Sequence, residues 1–189
     1  PRDRARRDVM RRTWVAEASA AGGNPRAFFV LGGGGLDETA RKAIEVENAT
    51  NGDVLTVPCW ENQHQGKTLH WFALAAAEFG SYDYVAKMDQ DTFVWPDELR
   101  AQIPGFSREA FYGGLPVDVY RRNFVEDRFV FMNGGFFVLS IDLVREVTEF
   151  FSSTKKTKEG YLDMGTEWKG NEDTIVGRIL KDRWAEGRL

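Results

Sequence analysis

An apolar run, "YVAKMDQDTFVW", ends on two aspartates one residue apart, Asp89 and Asp91. Two carboxylates that close repel each other unless a cation, a proton or solvent intervenes. Solvent at an Asp-rich turn is one answer. The other is a hard divalent cation, Mg²⁺ or Mn²⁺, held by carboxylate oxygens beside a phosphate-bearing substrate. Spacing alone leaves both open. A second acidic pair, Glu172 and Asp173, opens the segment "NEDTIVG". Acids in a helix's first turn are ordinary complements of its dipole. Taken together with a strand-end D-x-D, they also fit one metal site and one base.

The elements that must position these acids follow from hydrophobic periodicity. Tyr82, Tyr84, Ala86 and Met88 alternate with Asp83, Val85 and Lys87, so the run reads as a strand with Asp89 and Asp91 on one side of its end. Upstream, "RRDVMRRTWVAEASAAGG" predicts one helix with Val9, Met10, Thr13 and Trp14 inward, stopped by Gly22 and Gly23. "RAFFVLGG" predicts a buried strand, the glycines of 32 to 35 a loop, and "DETARKAIEVENA" a helix. "GDVLTVP" predicts a strand broken by Pro58. "GKTLHWFALAAAEFG" places Leu69, Phe72, Ala73 and Ala76 at helical spacing before Gly80. This alternation of strand and helix is that of a parallel sheet with crossover helices, which binds ligands beyond the carboxyl ends of its strands. Asp89 and Asp91 sit at such an end.

Downstream, Pro96 opens a helix in "WPDELRAQI", and "FYGG" at 111 to 114 reads as a strand. "FMNGGFFVLSIDLVREVTEFF" predicts a strand from Phe136 to Leu139. It feeds a helix that Ser140 can cap and whose Leu143, Val147 and Phe151 form one stripe. "STKKTKEGYLDMGTEWKG" is polar and loop-like. In "NEDTIVGRILKD", Ile175, Val176, Ile179 and Leu180 define a final helix face.

The 189 residues fit one domain, enough to bury roughly 70% of the surface exposed on unfolding. No apolar run reaches the length of a membrane span. The chain opens on Pro1, which reads as a piece of something longer, so a missing leader or anchor carries no information. Cys59 is the only cysteine and can form no internal disulfide. Six arginines among residues 1 to 12 stand against Asp3 and Asp8, a local +4 within a net charge of −4. That basic start is either a solvated face or, since arginine there opposes the helix dipole, a site for an anionic ligand. The acidity of the remainder argues against nucleic acid as a partner.

Two glycine motifs fail on inspection. "GKT" at 66 to 68 ends like a phosphate-binding P-loop, but Glu61 stands where the first glycine is required. "LGGGGLDE" puts Asp37 at the third glycine of the dinucleotide fingerprint.

The sequence resembles the inverting β-1,3-glycosyltransferases, which include galactosyl- and N-acetylglucosaminyltransferases and fringe. The resemblance rests on blocks in the family's order. They are Arg7, Met10, Arg11, Thr13 and Trp14, then "FFVLG" at 28 to 32, Glu47 followed by "GDVL", and "ENQHQGKT" at 61 to 68. "YVAKMDQDTFV", "YGG" at 112 to 114, "NGGFFVLS" at 133 to 140 and "EDTIVG" at 172 to 177 complete the series.

The resemblance implies a single catalytic domain over residues 1 to 189 with a GT-A type α/β fold, its mixed and mostly parallel sheet flanked by helices. It implies transfer of a hexose or N-acetylhexosamine from a UDP-sugar to a glycan, glycoprotein or glycolipid hydroxyl, forming a β-1,3 linkage. The implied cofactor is Mn²⁺, with Mg²⁺ as the alternative. Asp91 would ligate the metal, with Asp89 assisting, and Asp173, beside Glu172, would be the general base. Arg7, Arg11, Lys67, Lys87, Asp89, Gly134 and Gly135 would contact nucleotide or substrate. The implied setting is the Golgi lumen, on a type II membrane protein whose anchor lies outside this chain.

There are departures from the pattern. Gln90 interrupts the usual D-D-D, the family's disulfides are missing, and His64 and His70 lie upstream of the "ED" block rather than after it. Two other readings compete. A Mg²⁺-dependent phosphohydrolase needs D-x-D-x-T, but Phe93 occupies the threonine place. A catalytically degenerate carbohydrate-binding domain would keep the same fold without turnover.

Overall fold

The computed structural model describes residues 3–20, 25–61, 66–118, 129–158 and 171–187. The first expected helix is two, α1 (Arg4–Arg12) and α2 (Trp14–Ala20). They break at Thr13, which leaves helical geometry (φ −115°, ψ −117°) while its hydroxyl donates to the carbonyls of Val9 and Met10. A threonine hydroxyl that turns back onto the preceding turn competes with helix propagation. The inward face also differs from the expected one. Arg7, Trp14 and Ala18 are buried, whereas Val9 is 52% exposed.

Arg7 and Arg11 face inward because carboxylates await them. Arg7 donates to both oxygens of Glu47, at 2.8 and 2.6 Å. Arg11 donates to Glu47 at 2.8 Å, to both oxygens of Asp53 at 2.7 and 2.8 Å, and to Asp8 at 2.7 Å. Glu47 is buried on helix α3 (Glu38–Asn51), and Asp53 precedes strand β2. The network therefore ties α1 to the first βαβ unit by planar, bidentate contacts that lysine could not make.

In that unit, strand β1 (Phe29–Gly34) pairs in parallel with β2 (Val54–Trp60), from Phe29↔Val54 to Gly32↔Val57. Asp37 caps α3 by accepting from the Ala40 N–H at 2.7 Å, and Gly52 closes the helix in the left-handed region, φ 67°. Two expectations change here. Gly32, Gly33 and Gly34 belong to the strand rather than to a loop, and at Gly32 and Gly34 β2 and Glu61 approach too closely for a side chain. A Cβ on Gly32 would lie 2.6 Å from the Glu61 nitrogen. Pro58 does not break β2 either; it lies where the register slips between Gly32↔Val57 and Gly34↔Trp60. An irregularity is where a strand tolerates a residue with no N–H.

Helix α4 (Lys67–Glu78) leads to β3 (Tyr84–Met88), α5 (Pro96–Gln102), β4 (Tyr112–Asp118) and β5 (Val130–Ser140). Helices α6 (Ile141–Ser153) and α7 (Glu172–Ala185) follow. Strand β5 runs between β3 and β4 and is antiparallel to both, with Val138 opposite Ala86 on one side and Gly113 on the other. The fold is mixed α/β as expected, but the mostly parallel sheet is not found. Among the described residues, parallel pairing is confined to β1 and β2, and β3 takes its partner from a strand that returns in the opposite direction.

The core lies where β3 and β5 meet α4, α6 and α7. Leu69, Phe72, Val85, Phe137, Leu139, Val144 and Val176 are among its buried members. The predicted stripes of Leu143, Val147 and Phe151, and of Ile175, Val176, Ile179 and Leu180, are both buried in it. On α4, Ala75 is fully buried while Ala73 and Ala76 pack at the margin. Ser140 occupies the N-cap position of α6, yet its hydroxyl accepts the Phe111 N–H at 2.9 Å instead of capping the helix.

The buried arginine network has a measurable consequence. Arg7 and then Arg11 hold the Glu47 carboxyl at about 2, well below its ordinary 4.5, despite the opposing effect of burial. A depressed folded-state pKa adds stability above the unfolded value and loses it as pH falls toward the folded one. Stability should therefore decline from pH ~4.5 down to pH ~2, in part through Glu47. Glu47→Gln should lower stability at pH 7 by roughly 3 kcal/mol, because it removes the buried carboxylate that Arg7 grips with two hydrogen bonds and Arg11 with one. It should also flatten the acid limb, as read by urea denaturation at several pH values.

Candidate active site

Strand β3 delivers the D-x-D to a turn. The Asp89 N–H donates to the Gly135 carbonyl at 2.9 Å, carrying the β3–β5 pairing one residue beyond Met88. The Thr92 N–H then donates to the Asp89 carbonyl at 3.1 Å. This four-residue turn leaves Asp91 exposed and Asp89 partly covered. Lys87, two residues earlier and therefore on the Asp89 side of the strand, donates its ammonium protons to Asp89 Oδ1 and to the Gly134 carbonyl. It offsets part of the repulsion between the two aspartates.

The second acid comes from α7. Asp173 accepts the Gly134 N–H on Oδ2 and the Thr174 N–H on Oδ1, both at 2.8 Å. The Gly134 backbone thus stands between Asp173 and Lys87, and through Lys87 it reaches Asp89. A Cβ on Gly134 would fall 3.0 Å from Asp173 Oδ2 and 3.3 Å from Lys87 Nζ, so a side chain there would make both give way. Gly135 is steadied by Asn133, whose Oδ1 accepts its N–H at 2.9 Å.

Glu172, one residue before Asp173, points elsewhere. It is buried, and its two oxygens accept the Gly66 N–H at 2.9 Å and the Thr68 hydroxyl. It joins the start of α7 to the start of α4. Burial pushes its carboxyl up from the ordinary value, against the pull of Thr68. Lys67 pairs with Glu61, whose other oxygen accepts the Gly32 N–H at 2.6 Å, so the ends of β1 and β2 are tied to α4.

The sequence-predicted site residues therefore divide. Asp89, Lys87, Gly134, Gly135 and Asp173 form one hydrogen-bonded cluster, with Asp91 on its rim. Arg7 and Arg11 have their guanidinium groups engaged by Glu47, Asp53 and Asp8, and Glu172 is engaged by α4. Asn133, Thr68 and Glu61 were not singled out. Asn133 opens the "NGGFFVLS" block, and Glu61 and Thr68 are the two ends of the "ENQHQGKT" block, which are the signals that could have found them.

No group of three or more His, Cys, Asp or Glu side chains suited to a metal forms among the described residues. Asp89 and Asp91 nevertheless fit a hard cation of the Mg²⁺ or Mn²⁺ kind. Such an ion takes one or two carboxylates and completes its shell with water and substrate phosphate. His70 is not part of this donor set; it is buried edge-on against Phe151, ring centroids 4.6 Å apart. His64 lies outside the described residues.

Residues 5–182 match the Galactosyltransferase family. The chain belongs to that family. It is 32% identical over 120 residues to mouse β-1,3-galactosyltransferase 6, covering 60% of this chain and 37% of that protein. It is 30% identical over 162 residues to the human acetylgalactosaminyl-O-glycosyl-glycoprotein β-1,3-N-acetylglucosaminyltransferase, covering 74% and 42% respectively. The β-1,3-galactosyltransferase bre-2 of Caenorhabditis elegans is 26% identical over 104 residues, covering 52% and 29%. The chain thus spans less than half the length of each of these relatives. No helix among the described residues is long and apolar enough to cross a membrane.

The raised Glu172 pKa fixes a sign for substitution. A group whose folded pKa lies above its unfolded value supports folding below the unfolded pKa and loses that support as pH rises through the folded one. Glutamine mimics the protonated form, since its carbonyl can still accept from Gly66 and its amide can donate to the Thr68 oxygen. Glu172→Gln should therefore match or exceed the parent in melting temperature at pH 8. Glu172→Ala should lose roughly 2 kcal/mol by leaving buried donors unpaired. Equal melting temperatures for the two variants would contradict the clamp.

Proposed function

We propose that this chain is the catalytic domain of an inverting β-1,3-glycosyltransferase of GT-A type. It would move a hexose or N-acetylhexosamine from a UDP-sugar to a hydroxyl of a glycan, glycoprotein or glycolipid. The observation that carries the reading is the Gly134 backbone, which holds Asp173 on its N–H and the Lys87–Asp89 pair on its carbonyl. One residue's backbone thereby sets a candidate base beside a candidate site for a charged diphosphate.

In this reading Asp173 accepts the proton of the acceptor hydroxyl as that oxygen attacks the anomeric carbon and the bond to the UDP oxygen breaks. The two N–H donors orient the carboxylate, and Oδ2, which accepts only the Gly134 N–H, keeps a further lone pair for that proton. One base acting from the face opposite the leaving group gives inversion. Asp91 and Asp89 would hold a Mn²⁺ or Mg²⁺ ion, which when bound neutralises charge on the departing diphosphate. Lys87 keeps Asp89 in place and adds positive charge next to the same turn.

Family membership favours galactose or N-acetylglucosamine as the donor sugar, following the names of the relatives. It also favours residence in the Golgi lumen on a membrane-anchored chain. A nucleic-acid partner does not suit a chain of net charge −4.

The test separates chemistry from binding. Asp173→Asn keeps the carboxyl's size and its acceptance of the Gly134 N–H but cannot take up a proton, so transfer should fall roughly 10²-fold or more. UDP affinity by calorimetry should move by less than about twofold, well under 1 kcal/mol. Asp91→Ala should instead change binding, removing the Mn²⁺ dependence of UDP affinity. Full transfer activity in Asp173→Asn, or metal-independent UDP binding unchanged in Asp91→Ala, would reject the reading.

A further inference from the structure

The segment after the D-x-D carries a feature that the chemistry above does not use. Phe93 and Trp95 are 49% and 66% exposed, although aromatic rings of this size dominate cores and contact surfaces. They alternate with Val94, which is partly covered, and with Pro96, which is buried, so both rings project from the same side. Their centroids are 5.0 Å apart and their planes meet at 73°, an edge-to-face corner open to solvent. The corner is held on both flanks. Upstream, the Asp89–Gly135 and Thr92–Asp89 hydrogen bonds fix the turn. Downstream, the buried Pro96 starts α5, and the Leu99 N–H returns to the Trp95 carbonyl at 3.0 Å.

We infer that Phe93 and Trp95 form the platform for a pyranose ring of the acceptor glycan, an inference that rests on the glycosyl-transfer reading. Position is the first argument. Trp95 is four residues from Asp91, at most roughly 14 Å of extended chain, so the rings lie within reach of a short glycan seated at the D-x-D turn. Chemistry is the second. A pyranose presents apolar C–H groups on one face and hydroxyls at its rim, and an aromatic corner bordered by carboxylates matches both. Asp91 precedes the rings, and the Asp97 side chain, 93% exposed, follows them. Area is the third. Two half-exposed rings offer far less than the roughly 800 Å² per partner of a stable protein interface, but enough to cover one sugar.

The test uses the full-length protein and a panel of methyl glycosides of galactose, N-acetylgalactosamine, N-acetylglucosamine and xylose. Saturation-transfer NMR reads binding without turnover. At least one glycoside should give a signal on the parent that is lost in Trp95→Ala and kept in Trp95→Phe. In transfer assays with UDP-galactose and UDP-N-acetylglucosamine, Trp95→Ala should raise the acceptor KM at least tenfold and leave the donor KM within twofold. Because Trp95 is mostly exposed, its variants should melt within a few degrees of the parent.

No signal on the parent, or a signal that survives in Trp95→Ala, would overturn the platform. So would a Trp95→Ala change in sedimentation from dimer to monomer with glycoside binding intact, because the rings would then serve a second copy of the chain. Glycoside binding that depends on Trp95, without UDP release from either donor, would leave the platform standing and reject the transferase reading.

Discussion

The candidate site is joined through the backbone of one glycine. Gly134 offers its N–H to Asp173 and its carbonyl to Lys87, and both partners lie within 3.3 Å of where a Cβ would project. Helix α7 and strand β3 are distant in sequence and share no described strand pairing. Their acids meet only because β5 passes between them with its narrowest residue at the crossing. The spacing of the two charges is therefore set by backbone geometry, which varies far less than the position of a long side chain. A site on strand ends and a helix's first turn is also more rigid than one carried wholly on loops.

Charged residues elsewhere do a different kind of work. Arg7, Arg11, Glu47 and Asp53 form a mostly buried network that fastens α1 to the first βαβ unit, and Glu172 fastens α7 to α4. A buried charge is retained only where its partners replace water. The consequence is positional. Tying α7 to α4 through Glu172 fixes the rotation of α7 at its first turn, and that rotation decides where Asp173 points.

Much of this was legible in sequence, and the failures share a cause. The strand before Asp89, the helices after Gly66 and Ser140, and the stripes Leu143–Val147–Phe151 and Ile175–Ile179 follow from periodicity, since a buried apolar face repeats at the period of its element. Strand partners do not follow from periodicity. The alternation up to Met88 resembled a parallel α/β sheet, yet β3 pairs with a strand almost fifty residues later, and nothing in either sequence states the direction of pairing. The glycines of β1 looked like a loop because glycine's freedom is visible in sequence, while the close approach of β2 that demands it is not. Arg7 and Arg11, four apart on one helix face, fitted either a contact to the donor or support of the sheet, because the partners that engage them, Glu47 and Asp53, are some forty residues away. In each case a local signal was read correctly and a non-local partner decided its use.

Glu172 and Asp173 carry that lesson to the site itself. Both are acids in the first turn of α7, and from the helix dipole alone they are equivalent. Successive residues on a helix diverge by about 100°, so neighbouring carboxylates cannot meet the same surroundings. Glu172 meets the buried start of α4, where two donors occupy both of its oxygens and desolvation raises its pKa. Asp173 meets the rim of β5, where backbone donors orient its carboxylate beside the D-x-D turn. The first acid is thus spent on holding the helix, and the second is left facing the place where a substrate can reach it. An E-D pair at a helix start is in this fold a buried joint followed by a half-exposed acid at the candidate site, and their order along the chain follows from which side of the helix faces the core.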